Sequence, residues 1–196
     1  MIKNIVSTHN DRLTSILRVI GWTLVAGLLI TPAIAMRFIK EVQWTIFDFI
    51  FAGVVLIGAG AIAELAVRAS SAWSYRIAAG LAVLACALLL WINGAVGIIG
   101  SENHPANLLY LGVILAAFVG AVTSRFRAAG LSASMAWAAV IQVIIGALAV
   151  LQRWGEGSEN WPRPVIVLSI IFGLMWLASA ALFRRAARTH RGDGPG

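Results

Sequence analysis

The stretch Pro164–Phe183, PVIVLSIIFGLMWLASAALF, carries no charged residue, and it decides the fold class. An α-helix needs about 20 apolar residues to cross the hydrocarbon core of a bilayer. Similar runs lie at about residues 16–36, 45–67, 76–100, 107–124 and 131–152. These runs are continuous and lack the period-two alternation of β-barrel strands. The sequence therefore predicts an all-α, polytopic membrane bundle of six transmembrane helices.

The composition agrees with this prediction. Of the 196 residues, 60% are hydrophobic and 12% are charged, whereas soluble domains have about 45–50% apolar and about 25% charged residues. So few charges could not cover this much apolar surface in water. We expect one membrane domain, residues 16–183, embedded in the lipid bilayer between a cytoplasmic N-terminal segment, residues 1–15, and a basic cytoplasmic tail, residues 184–196.

The first run allows two interpretations. The sequence Ala33-Ile34-Ala35 resembles a signal-peptidase site after an apolar stretch. However, the run is long and the residues before it are mostly polar, which favours a retained helix.

The basic residues predict the orientation. With the N-terminus inside, eleven of the 15 Lys and Arg residues lie on the inner side, and four lie outside, at Arg37, Lys40, Arg153 and Arg163. Such a bias places both termini in the cytoplasm. The net charge of +7 is concentrated at the ends of apolar runs, without a basic face interleaved with aromatic residues. We therefore expect no binding of nucleic acid.

Two nearly identical segments recur, SENHP at Ser101–Pro105 and SENWP at Ser158–Pro162. Both are predicted outer loops, in which the proline suits the first turn of the next helix and the Asn accepts bonds from its free N–H groups. With Glu41, the acidic loops of Glu102 and Glu159 suggest three helical-hairpin repeats. Independent use of the same helix-start chemistry is the alternative.

Several polar residues inside the runs are candidates for ligand binding or transport. Asp48 follows Thr45 at capping-box spacing, so a capping role also explains it. Asn93 and Gln142 lie within runs three and five, where bonding to a neighbouring helix is the simplest expectation. Glu64 precedes Arg68 by four residues and is expected to form an ion pair with it. The glycines Gly94, Gly97 and Gly100 predict close helix packing or a loosened run three.

No catalytic motif is present, and we predict neither an enzyme nor a cofactor. The histidines, His9, His104 and His190, lie outside the apolar runs, which argues against a haem held between membrane helices. The residues Glu41, Asp48, Glu102, His104 and Glu159 could bind a divalent cation only if their loops converge. Solvated loop residues are the favoured interpretation, so no metal site is predicted.

Two stretches resemble a group of small uncharacterised bacterial multi-pass membrane proteins. They are AMRF with EVQWT and Asp48-Phe49, at residues 35–49, and WINGAVGIIGSEN with PAN, at residues 91–107. The similarity covers about three quarters of the chain. It implies a bacterial inner-membrane location and no particular activity.

Together these features predict a non-enzymatic accessory or partner-binding membrane subunit. Its partner would be another membrane subunit or a second copy of the chain. The alternative is a small transporter or channel, in which Asp48, Glu102, His104, Asn93 and Gln142 line an acidic outer vestibule and a polar path.

Overall fold

The structure of the protein, a computed structural model, describes residues 2–192, with side chains described for residues 14–16 and 18–189. Six long helices and one 3-10 turn follow in order: α1 Ile2–Phe38, α2 Ile46–Ala69, α3 Trp73–Ala95, the 3-10 turn Pro105–Asn107, α4 Leu108–Thr123, α5 Ala128–Leu151 and α6 Arg163–Gly192. This described part contains no strand. The described residues contain six spans long and apolar enough to cross a membrane, the fourth of which joins the 3-10 turn to α4, and this confirms the predicted helical class and helix number.

The first and last helices are longer than predicted. The segment 1–15 is helical from Ile2, and α6 continues through the predicted tail to Gly192, beyond which residues 193–196 lie outside the described residues. Packing explains the extension of α6, because the Phe183 ring lies 5.1 Å from the Tyr75 ring and Ala186 is fully buried. The alanines and arginines that follow also have high helix propensity.

The third helix is shorter than predicted, because it ends at Ala95 and not near residue 100. Gly97 and Gly100 have φ angles of +72° and +71°, which are left-handed conformations that glycine adopts readily. Ile98 and Ile99 are buried in the loop that follows. The apolar run therefore continues past the helix end because these two side chains enter the core from a loop.

The chain divides into two compact units, residues 1–64 and residues 65–196. In the first unit, α1 and α2 form an antiparallel hairpin. Arg18 Nε lies 2.8 Å from the Glu64 carboxylate, and a β-carbon on Gly60 would lie 3.3 Å from the Trp22 ring. These two contacts are one helical turn apart on both helices, so they fix the hairpin register. Glu64 thus forms an ion pair across the hairpin, and its pairing with Arg68 stays a prediction.

The second unit is a four-helix bundle. Helix α6 packs against α5 and α3, α4 packs against α5, and α3 and α4 touch only slightly. The Ser179 hydroxyl donates to the Ala78 carbonyl of α3 at 2.8 Å, and the Ser132 hydroxyl of α5 donates to the Ala180 carbonyl at 2.8 Å. The order around the bundle is therefore α3, α6, α5, α4. The hairpins α3–α4 and α5–α6 are not equivalent in packing, although they carry the two SENxP segments.

Glycines set the closest helix contacts in this bundle. A β-carbon on Gly146 of α5 would lie only 2.7 Å from the Cβ of Ser169 on α6, which is a steric collision. A β-carbon on Gly120 of α4 would lie 2.6 Å from the Cβ of Ser134 on α5. In lipid, helices associate through such close backbone approach, because burial of apolar surface gives little driving force.

We predict that Gly146→Ala destabilises the bundle by about 1–3 kcal/mol, because the new methyl group forces α5 and α6 apart. Gly112→Ala on α4 is the matched control, since a β-carbon there meets nothing within 4 Å. Thermal unfolding of both variants in detergent measures the difference. Equal midpoints for the two variants would contradict the proposed packing at Gly146.

Candidate functional site

Two loops meet at one end of the four-helix unit. They are residues 96–104, between α3 and α4, and residues 152–162, between α5 and α6, and we call them the joined loops. A β-carbon on Gly155 would lie 2.7 Å from the Gly100 backbone nitrogen, and one on Gly100 would lie 3.2 Å from Gly155 Cα. The two backbones thus touch at positions where only glycine fits without displacement.

Asn107 holds the first of the joined loops in place. Its Oδ1 accepts from the backbone N–H groups of Ile98 and Ile99, at 3.1 and 2.9 Å. Its Nδ2 donates to the carbonyls of Ile99 and Ser101, at 3.2 and 2.7 Å. The side chain is buried. One amide therefore satisfies four backbone groups that lie beyond the end of α3, which buried backbone requires.

The two SENxP segments each close a four-residue turn, but the backbones differ, because Asn160 has a φ angle of +64° and the φ angle of Asn103 is not positive. The Ser101 carbonyl accepts from His104 N–H at 3.0 Å, and the Ser158 carbonyl accepts from Trp161 N–H at 3.3 Å. Both turns lead into a helix, and Pro105 occupies the first position of the 3-10 turn as predicted.

The helix starts differ in their side-chain contacts. The His104 Nδ1 accepts from Ala106 N–H at 3.3 Å and thus caps the 3-10 turn. Asn103 was predicted to cap this helix start, and that prediction was wrong. Its amide donates to the Glu102 carboxylate, and the capping residue is His104. After the second segment, the indole N–H of Trp161 donates to the Trp154 carbonyl at 2.8 Å.

The acidic residues are engaged locally or exposed. Asp48 accepts from Thr45 N–H at 2.7 Å and from the Thr45 hydroxyl at 2.8 Å, while its own N–H donates back to that hydroxyl at 3.3 Å. This geometry confirms the capping box. Glu41, Glu102 and Glu159 are exposed. Within the described side chains, no three His, Cys, Asp or Glu residues are grouped so that they could hold a metal ion.

Beneath the joined loops, buried polar groups lack hydrogen-bond partners. They belong to all four helices of the unit: the Asn93 Oδ1, the Tyr110 hydroxyl, both amide atoms of Gln142, the Ser169 hydroxyl and the Trp176 indole nitrogen. Gln142 and Trp176 are fully buried, and the Tyr110 hydroxyl lies beside Ser169 without reaching hydrogen-bond geometry. We call these five residues the polar column.

The helix contacts order the column along the bundle. Gly146 faces Ser169, and a β-carbon on Gly173 would lie 3.3 Å from Val143, so Gln142 of α5 lies near the level of residue 173 on α6. Asn93 occupies the last turn of α3, where its amide donates to the Leu89 carbonyl of the same helix at 2.7 Å. The column thus runs from the loop end at Asn93 towards the middle of the bundle at Gln142.

Sequence reasoning found two of the five column residues, Asn93 and Gln142. Each was expected to bond a neighbouring helix, and this was wrong. The Asn93 amide donates to its own helix, and its Oδ1 and both amide atoms of Gln142 have no partner. The sequence did not indicate the other three, Tyr110, Ser169 and Trp176, because such residues are common in apolar runs. Only the folded structure shows that their polar atoms are buried without partners. Asn107 was also missed, although an Asn two residues after a helix-starting proline is a local signal.

Compared with models of protein families, curated proteins and solved structures, the chain matches none of them. The resemblance to bacterial multi-pass membrane proteins therefore stays a prediction, and function has to be argued from the geometry alone.

We predict that Asn107→Ala lowers the thermal midpoint and exposes residues 96–104 to proteolysis. Each buried backbone group left unpaired costs about 1–3 kcal/mol. Asn103→Ala is the control, because Asn103 is exposed and its amide bonds only Glu102. Limited proteolysis with peptide mapping locates the effect, and uniform protection in both variants would show that Asn107 does not hold the loop.

Proposed function

We propose that the protein is a multi-pass protein of the bacterial cytoplasmic membrane, with both termini inside. In this proposal it acts without enzymatic activity, as a subunit that binds another membrane protein or a second copy of itself. The apolar length of the six helices supports the membrane location. The arginine bias of the sequence supports the orientation.

The observation that carries this proposal is the uncovered face of α1 in the hairpin unit. The side of α1 that carries Arg18 and Trp22 packs against α2. With 3.6 residues per turn, Leu24 and Gly27 share a different face of the helix, about 120° and about 180° from Arg18, and Gly21 lies between this face and the packed side. All three are exposed, and a β-carbon on either glycine would meet nothing within 4 Å.

The hydroxyl group near this face is bonded within its own helix. The Thr31 hydroxyl donates to the Gly27 carbonyl of its own helix at 2.7 Å, so it leaves little polarity on the surface. In the four-helix unit, Gly120, Gly146 and Gly173 all lie against another helix. Small residues in membrane helices are typical of helix–helix contacts. A helix from a partner therefore fits the face of Leu24 and Gly27 better than lipid chains alone.

Photo-cross-linking in native membranes tests this proposal. A benzoylphenylalanine at Leu28, which is 55% exposed beside Gly27, is expected to capture the partner helix. The same probe at Leu174 of α6, which is 61% exposed, is the control on the four-helix unit. An adduct of twice 20.8 kDa identifies a second copy, and any other mass identifies a different subunit.

A second variant tests whether the adduct depends on Gly27. Gly27→Leu should abolish the cross-link at Leu28, because its side chain blocks close approach of the partner helix. Gly112→Leu, at an open position on α4, should leave the cross-link unchanged. An adduct that survives Gly27→Leu, or that forms equally at Leu174, would refute the proposal.

The polar column favours transport as a second candidate function. Buried polar groups without partners are costly in a membrane and mark solute or proton paths in many transporters. However, Asp48 belongs to the hairpin unit and caps its own helix, and Glu102 is exposed beside Asn103. The candidate path thus consists of the five residues of the polar column, two of which, Asn93 and Gln142, the sequence suggested.

We expect Gln142→Leu to raise the thermal midpoint, because it removes an unpaired buried amide whose burial costs about 1–3 kcal/mol. Gln152→Leu is the control, since Gln152 is exposed at the end of α5. Unfolding in detergent and solute uptake in proteoliposomes are measured together. A lower midpoint with loss of uptake would instead favour transport, because it would mean that a bound water or solute normally pairs with the amide.

A further inference from the structure

The end of the four-helix unit opposite the joined loops carries two adjoining grooves. One groove, of about 540 Å³, lies between the start of α5 and the end of α6, and its lining includes Ala129, Ala133, Arg184 and Arg188. The other, of about 490 Å³, is lined by Arg125 and Arg127 of the α4–α5 turn and shares Ala129. We call this the arginine end.

The shape of the larger groove follows from helix lengths. The Ser132 hydroxyl bonds the Ala180 carbonyl, so the start of α5 at Ala128 lies near the level of Arg184. Helix α6 then continues to Gly192, which is roughly 12 Å of helix beyond Arg184. Because α6 extends past α5, it forms one wall of a concave surface whose floor is made of alanines.

The four arginines of these grooves have no counter-ion in the described part of the chain. No hydrogen bond or ion pair within it engages the side chain of Arg125, Arg127, Arg184 or Arg188. Arg76, in contrast, donates to the carbonyls of Ser70 and Val67 at 2.8 and 3.2 Å. An arginine at this end can therefore form hydrogen bonds within the protein, as Arg76 does.

The acidic residues in the described part of this unit, residues 65–192, lie elsewhere. Glu102, Glu156 and Glu159 all belong to the joined loops at the opposite end. The first turn of α5 also lacks a side-chain cap, so its free N–H groups add positive potential beside Arg127. Among residues 65–192, no acidic side chain therefore balances the charge of the arginine end.

We propose that the arginine end binds the headgroup of an anionic phospholipid. Guanidinium groups bind phosphate through paired hydrogen bonds, and the alanine floor offers an apolar surface for the glycerol and upper acyl chains. Basic pockets between transmembrane helices bind anionic lipids in this way. The inference rests on the bilayer location in the proposed function, because Arg184 directly follows the apolar run and would lie at headgroup depth.

Native mass spectrometry of the full chain tests this inference. The protein is titrated in detergent with phosphatidylglycerol or phosphatidylcholine, and the dissociation constant of each lipid is measured. We expect tighter retention of phosphatidylglycerol. The double variant Arg184→Gln/Arg188→Gln should weaken its binding about fivefold for each arginine removed, or roughly 25-fold in total.

Two matched variants separate charge from folding. Arg184→Lys/Arg188→Lys keeps the charge and should retain most of the preference for phosphatidylglycerol. Arg163→Gln, at the opposite end of α6, should change nothing. Thermal midpoints equal to that of the unsubstituted protein show that each variant is folded.

The outcomes are distinguishable. Equal retention of both lipids, or an unchanged constant in the double Gln variant, overturns the lipid site and leaves the proposed function intact. Complete competition by millimolar inorganic phosphate shows a site for free phosphate and also overturns it. Retention of no lipid of either kind contradicts the bilayer location itself, and with it the proposed function.

Discussion

The close approach of α5 and α6 at Gly146 and Ser169 is the contact on which the four-helix unit depends. Lipid chains solvate apolar side chains as well as other side chains do, so helices in a bilayer need dense packing to stay together. Glycine at position 146 lets the Ser169 side chain reach the α5 backbone. Helix α6 then holds α3 through the bond from Ser179 to Ala78, so one helix sets the position of two neighbours.

This register also determines where polar groups meet. The stripe of α5 that contains Gly146 carries Gln142 one turn away, so the contact that fixes the helices also buries the amide. Ser169 and Trp176 of α6 are buried in the same unit. A buried amide without hydrogen-bond partners destabilises the core that surrounds it. Stability alone therefore does not explain the polar column.

Local patterns in the sequence were enough to predict the six helices and the Asp48 cap, because apolar length and capping spacing are properties of neighbouring residues. The end of α3 could not be predicted in this way. Ile98 and Ile99 continue the apolar run, and only the bonds from Asn107 and the contact between Gly100 and Gly155 show that they belong to a loop. Those contacts join residues that are eight or more positions apart, and apolar periodicity contains no information about them.

The hairpin unit uses its polar chemistry internally. Arg18 and Glu64 neutralise each other within membrane-length helices, which removes most of the cost of placing either charge there. Thr31 bonds its own helix, and Asp48 bonds Thr45. With these groups satisfied, the face of Leu24 and Gly27 carries a glycine and no charge. Recognition at this face would therefore depend on how closely two helix backbones can approach, and a single larger side chain is enough to prevent it.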